Sequence, residues 1–185
     1  KRMEVDDLKD LNSDLNDIYF YGLKHVSEGF YPRYARMRWY RYYMRDDGLD
    51  TNRFLRAAVL FTGTHDFSNF ARVEKHRSPV RRIENIVVEE TENDVVTVDF
   101  FAQSFLWQQV RRMVAAMEKV GMNALDEKRI EYALTHGEER VDFGIANAES
   151  LVLVDVLYDI DFEVNEEVSG CLKEIEKRIV RSLFG

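Results

Sequence analysis

The sequence predicts an α+β fold: a mainly antiparallel sheet backed by helices. Three observations lead there. Short runs rich in Val, Tyr, Trp and Phe recur with turn residues between them, at 35–44, 82–90 and 95–102. Two of these runs are joined only by Glu92-Asn93-Asp94, a hairpin connection. Apolar residues at helical spacing then dominate 105–117.

In chain order, residues 1–15 are polar and acidic and read as a short helix or arm. Residues 16–28, with Ile18, Tyr19, Phe20, Tyr21 and Val26, read as a strand that begins the sheet. The 35–44 strand follows, then turn chemistry at Asp46-Asp47-Gly48-Leu49-Asp50. Thr51 or Asn52 can cap a helix to about Phe61, with Phe54, Leu55, Ala58, Val59 and Phe61 as its apolar stripe and Gly63 as its stop. Residues 64–70 read as a polar loop before the hairpin. Ser104 is expected to cap a helix through Val120, ended by Gly121. A second helix runs from Glu127 to Thr135. Residues 151–163 form a strand, and 166–183 an amphipathic helix with Val168, Leu172, Ile175, Ile179 and Leu183 on one face. The expected domains are an arm at 1–15, a main body at 16–164 and a closing helix at 165–185.

Composition excludes several classes. Of 185 residues, 45% are hydrophobic, 12% aromatic and 32% charged, as in ordinary globular proteins and unlike disordered chains. No apolar run reaches the roughly 18 residues of a membrane helix, so no membrane partner is expected. One cysteine, Cys171, rules out an internal disulfide and a Cys-based zinc finger, and suits a reducing cytoplasm. The four histidines are scattered without metal-ligand spacing, and no glycine-rich phosphate loop occurs. The net charge of −8 argues against a general nucleic-acid coat. The charge is uneven, however: acids crowd both ends and arginines the middle, and screening beyond about 10 Å lets a local basic patch act by itself.

Three segments are candidates for chemistry. A strand at 35–44 puts Arg36, Arg38, Tyr40 and Tyr42 on one face, and Met37, Trp39, Arg41 and Tyr43 on the other. Arginine pairs with phosphate and tyrosine stacks on an unpaired base, so this suits a nucleic-acid surface. It equally suits a solvated face whose arginines pair with the acidic termini. The His65-Asp66-Phe67 stretch could be a base–acid pair or an RNA-contacting loop. Alternatively, Asp66 caps a turn at Ser68 while His65 is satisfied nearby. Arg111 and Arg112 interrupt an apolar helix, where neighbours differ by about 100°. One must turn toward the packed side, and a buried guanidinium needs an anion or a snorkelling route to water.

In order and spacing these segments resemble the TruA-type tRNA pseudouridine synthases. Phe30-Tyr31-Pro32-Arg33-Tyr34-Ala35 with Arg38-Trp39-Tyr40-Arg41-Tyr42 is similar to F-x-P-R-x-A followed by R-x-Y-x-Y. Gly63 to Phe70 is similar to G-x-H-D-F-x-x-F, and Arg82-Ile83 to the R-x-I hairpin opening. Phe105-Leu106-Trp107-Gln108-Gln109-Val110-Arg111 is similar to F-L-x-x-M-V-R, in an archaeal or eukaryotic wording. Leu151, Leu153, Val156 and Tyr158 match the closing G-L-x-L-x-x-V-x-Y strand. Gln109 replaces the usual Met, and Asn147 and Ser150 stand where the family has Pro and Gly.

The resemblance implies isomerisation of uridine to pseudouridine in the tRNA anticodon stem-loop, at tRNA positions 38–40, with neither metal nor cofactor. An aspartate attacks, or stabilises a glycal-like intermediate, while the uracil detaches, rotates and reattaches through carbon. Tyr40 would stack on the target uracil, Arg111 would pair with that aspartate, on the Tyr40 side of the sheet, and Leu151 would line the pocket. Arg33, Arg36, Arg38 and Arg41, then His65, Asp66 and Phe67, then Arg72, Lys75, Arg77 and Arg81 would contact the tRNA. A cytoplasmic homodimer is implied. The family's aspartate lies in R-T-D-x-G-V-H-A, which these residues lack. Arg45-Asp46-Asp47-Gly48 imitates its opening but follows the Tyr40 strand and lacks its tail, so it reads as a loop. Since Lys1 is no initiator, the expectation is a C-terminal portion whose missing N-terminal half supplies the aspartate. The alternative is a non-catalytic tRNA-binding or dimerisation module.

Overall fold

A computed structural model describes residues 3–13, 20–91, 94–167 and 181. In chain order its elements are α1 (Asp7–Ser13), β1 (Gly22–Leu23), β2 (Met37–Arg45), α2 (Thr51–Leu60), β3 (Gly63–Asp66), a 3-10 turn (Ser68–Phe70), β4 (Val80–Ile83), β5 (Asn85–Thr91), β6 (Val95–Ala102), α3 (Gln109–Gly121), α4 (Glu127–Thr135), β7 (Leu151–Leu157) and β8 (Glu163–Val164). The α+β reading holds. The chain divides into two units, Lys1–Tyr34 with Tyr158–Gly185, and Ala35–Leu157. No helix among the described residues is long and apolar enough to cross a membrane.

In the first unit β1 pairs antiparallel with β8. Two segments of the family pattern meet here. The Tyr158 hydroxyl donates to the Pro32 carbonyl at 2.7 Å, and its ring lies 5.4 Å from that of Phe30. Of the expected 16–28 strand only Gly22–Leu23 is strand, and 14–19 lie outside the described residues, as does most of the expected closing helix.

The second unit is built on a four-stranded antiparallel sheet ordered β5-β6-β2-β7. The β6 strand lies inside it, and nearly every residue of it is buried. Val96, Val98, Phe100 and Ala102 face the same way as Met44, Tyr42, Tyr40 and Arg38, their register partners. Helices α2, α3 and α4 cover that face, contributing Phe54, Ala58, Val110, Met113, Val114, Met117, Ile130 and Ala133 to one core. Each fully buried large apolar side chain there stabilises by about 1.5–3 kcal/mol.

Several boundaries differ from expectation for local physical reasons. Asp50, not Thr51 or Asn52, caps α2: its carboxylate accepts the Arg53 N–H at 3.0 Å. Leu55 and Val59 are exposed, and Ala57 takes their place in the core. Residues 63–66 are strand rather than loop, because β3 pairs with β4. The α3 helix begins at Gln109, not after Ser104. Trp107 is held out by a backbone bridge to Arg72, and Gln108 adopts a left-handed φ of 64° that no helix continues through. The 151–163 strand breaks after Leu157.

The end of α3 is a tight contact. A Cβ on Gly121 would lie 2.5 Å from Leu49 Cδ1 and 3.3 Å from Phe54 Cβ. Helix propensity favours alanine by up to about 1 kcal/mol, whereas overpacking costs about 1–3 kcal/mol. Gly121→Ala should therefore destabilise by about 1 kcal/mol in urea unfolding; a rise in midpoint would contradict this packing.

Candidate functional site

Tyr40 sits mid-strand in β2, half-buried, with its ring edge-on to Phe105 at 5.3 Å. On the neighbouring strand Leu153 is its register partner, and Leu151 pairs with Tyr42, so Leu151 and Tyr40 are diagonal neighbours on one face. The register between β2 and β7 shifts between Trp39 and Tyr40. Such irregularities re-aim a side chain, and this one falls beside the residue expected to stack on uracil.

Arg111 lies in the first turn of α3, on the helix layer that covers the Tyr40 face. It is gripped at two points by one residue. Its Nε donates to the Ala146 carbonyl at 2.7 Å, and the Ala146 N–H donates to the Arg111 carbonyl at 3.1 Å. Among the described residues no carboxylate closes an ion pair with it. Its charge reaches the Tyr42 hydroxyl, whose pKa is nevertheless pushed up because burial disfavours the phenolate. Arg112, like Arg111, is half-buried. It pairs with Asp142 at 3.3 Å, while its enclosed Nε has no partner among the described residues. The Gly144 N–H, and then Arg112, hold the Asp142 carboxyl below the usual carboxylate range.

The loop that grips Arg111 contains two of the three departures from the family pattern, Asn147 and Ser150. The Asn147 side chain accepts the Glu149 N–H at 3.2 Å, and the buried Ser150 accepts the Tyr43 N–H on its carbonyl at 3.0 Å. The loop is thus tied internally and to β2.

Other expected contacts lie elsewhere. Arg41 is on the opposite sheet face from Tyr40. It forms a bidentate pair with the buried Asp99 at 2.8 Å, which also accepts the Trp39 indole N–H at 2.7 Å. That pairing raises the Arg41 pKa and removes it from the Tyr40 face. Phe67 is fully buried in contact with Phe61 and Phe70, so it is core and not an RNA contact. Asp66 accepts the Ser68 N–H at 2.8 Å and lies against Gly137, and His65 Nε2 meets the Thr62 carbonyl at 2.9 Å. This is the turn-capping alternative rather than a base–acid pair. Asp46 accepts the Leu49 N–H at 2.9 Å, as a turn residue does.

The remaining basic residues form a looser set. Arg38 donates to the Gln103 carbonyl. Arg33, Arg36, Arg72, Lys75 and Arg77 are exposed, with Arg77 paired to Glu74. Arg81 donates to the Ser78 and Val80 carbonyls, and partial burial lowers its pKa. It is the register partner of His65.

Sequence reasoning passed over Phe105, whose ring meets Tyr40, and the exposed Trp107. The signal was present in the tripeptide Phe-Leu-Trp before an arginine-bearing helix, but only the backbone reversal at Gln108 shows which side chains leave the core. Gln109 is almost wholly buried. Its Oε1 accepts the Leu106 N–H at 2.8 Å, while Nε2 has no partner among the described residues.

Tyr42 gives a pH test. A raised folded-state pKa means that its contribution is complete below the ordinary tyrosine value of 10.0 and is lost as pH rises through the folded value. Tyr42→Phe should flatten the alkaline fall in stability above about pH 10 while costing about 1 kcal/mol near neutrality. Urea midpoints at about pH 8 and 11 would check it; parallel falls in both proteins would refute it.

Comparison with known proteins places this chain in a family. The family model for tRNA pseudouridine synthase matches residues 57–159, which include Arg111, Ala146 and Leu151. A tRNA pseudouridine synthase A from Thermococcus sibiricus is 39% identical over 166 residues, covering 88% of this chain and 61% of the relative. The protein of that name from Thermococcus kodakarensis is 36% identical, covering 94% and 65%. That from Methanocorpusculum labreanum is 40% identical, covering 80% and 52%. The chain therefore spans about half to two thirds of the length of these relatives. A matched model over more than half the chain, together with relatives 36–40% identical over 80–94% of it, shows that the chain belongs to the tRNA pseudouridine synthase family.

Proposed function

We propose that the whole protein isomerises uridine to pseudouridine in tRNA, and that this chain supplies the uracil-stacking wall and the arginine that pairs with the catalytic carboxylate. The observation that carries this reading is Arg111. A guanidinium held at Nε by a backbone carbonyl, on the Tyr40 side of the sheet and with no carboxylate among the described residues, is poised to receive one. An aspartate outside these 185 residues is that partner. The fork geometry of arginine orients a carboxylate through two hydrogen bonds, which lysine does not reproduce.

In the reaction the bond between uracil N1 and the ribose C1′ breaks, and a C5–C1′ bond forms. The C5 proton is released and N1 gains one. Tyr40, braced edge-on by Phe105, keeps the detached uracil stacked while it turns, and Leu151 and Leu153 bound it on the sheet side. Confinement of this kind replaces a bimolecular recombination with a positioned one. The exposed Arg36, Arg72 and Lys75 attract the phosphate backbone of the anticodon stem-loop. The cytoplasmic homodimer rests on the resemblance alone.

Tritium release from 5-tritiated uridine in tRNA tests the chemistry. The 185-residue chain by itself should release none, and measurable release would bring Asp46 and Asp47 back as nucleophiles. In the whole protein Arg111→Lys should lower kcat by about 10²-fold, the scale of losing one preorganised electrostatic contact. A kcat unchanged by that substitution would remove Arg111 from the mechanism.

Phosphate contact has its own signature. Each neutralised phosphate adds about 0.9 to the slope of log affinity against log salt on duplex regions. Replacing Arg36, Arg72 and Lys75 together with alanine should flatten the slope by about 2–3. An unchanged slope would make them an ordinary solvated face.

A further inference from the structure

We infer that Trp107, backed by Arg72, is a stacking platform for one unpaired nucleotide of the RNA substrate, separate from the Tyr40 position; this rests on the tRNA reading above. Trp107 is 55% exposed although it is the largest apolar side chain available to bury. It does not hang loose. Its carbonyl accepts the Arg72 N–H at 2.9 Å, and the two residues form an isolated antiparallel bridge. The Arg72 guanidinium lies 4.4 Å from the indole centroid. Gln108, the next residue, is held at φ 64°, a conformation that costs a non-glycine residue about 1–3 kcal/mol. The left-handed backbone at Gln108 thus separates Trp107 from the helix that starts at Gln109.

The chemistry fits an unpaired base. An indole is a broad π surface that stacks on any base, and a guanidinium on its edge or face supplies a charge for the adjoining phosphate. Paired bases offer no such face, because both sides are already stacked. Trp107 lies four residues before Arg111, just ahead of the helix that carries it, so a nucleotide caught there sits near the one being isomerised. The platform would hold a neighbour of the target uridine out of its stack, offsetting part of the cost of exposing the target.

The sequence has two tryptophans, Trp39 and Trp107, so the fluorescence difference between the parent and Trp107→Phe isolates Trp107. Unmodified tRNA and a short single-stranded oligouridylate should quench that signal, and a fully paired RNA duplex should not. Trp107→Ala should weaken tRNA binding about 10-fold with an unchanged salt slope, and Trp107→Phe less than about 3-fold, because stacking is worth about 1–3 kcal/mol per base. An exposed side chain makes both variants foldable, which a thermal melt will verify. Equal quenching by the duplex, or parental tRNA affinity in Trp107→Ala, would overturn the platform and leave the tRNA reading standing. Failure of the parent to bind tRNA would overturn both. A Trp107→Ala variant that changes oligomeric state and not RNA affinity would make this residue a contact between copies, which also overturns the platform.

Discussion

The β6 strand is buried on both faces, and that single constraint decides what the surrounding charges can do. A carboxylate at Asp99 has no route to bulk water, so it must be paired within the sheet. Arg41 and Trp39 on the adjacent strand provide three hydrogen bonds, and the indole stacks on Phe101 at 5.5 Å. An uncompensated charge there would cost about 3–5 kcal/mol, more than any single surface contact with RNA could return. An arginine that looks available in the sequence is therefore used up by the sheet. The same strand gives the opposite face its purely apolar floor, against which α3 lies.

From that floor the position of α3 follows, and from α3 the position of the candidate site. Val110, Met113, Val114 and Met117 fix the rotation of the helix by burial. Arg111 then falls at the border of the packed face, where a backbone carbonyl can reach it. The grip by Ala146 is a hydrogen bond between groups that need no particular side chain at position 146. This explains how the neighbouring Asn147 and Ser150 can differ from the family's Pro and Gly. Proline stiffens a loop through its ring and glycine permits unusual turns. Here a side-chain cap at Asn147 and a sheet bond at Ser150 restrain the same loop by hydrogen bonding.

Much of this was legible in the sequence. Alternation at 35–44 correctly separated Tyr40 from Arg41, and helical spacing correctly oriented α3. What could not be read were features set by contacts distant in the chain. Asp99 looks like one acid among many until β2 is placed beside β6. Phe67 follows His and Asp in a polar stretch, and only the packing of Phe61, Phe67, Phe70 and Phe143 reveals it as core. Ser104 is a sound cap by composition, yet tertiary pairing of Trp107 with Arg72 delays the helix by several residues.

That delay has a further consequence for the site. A helix beginning at Ser104 would place residues 105–108 in a regular turn and direct Phe105 and Trp107 by helical geometry alone. Beginning instead at Gln109, the chain is free to send Phe105 down to brace Tyr40 while Trp107 points outward. The strain at Gln108 and the orphaned amide of Gln109 are concentrated at this junction. A fold selected for stability alone would have removed both, by glycine at 108 and an apolar residue at 109. Their presence one turn before Arg111 indicates that the placement of these aromatic and cationic side chains, rather than local stability, sets the conformation of this segment.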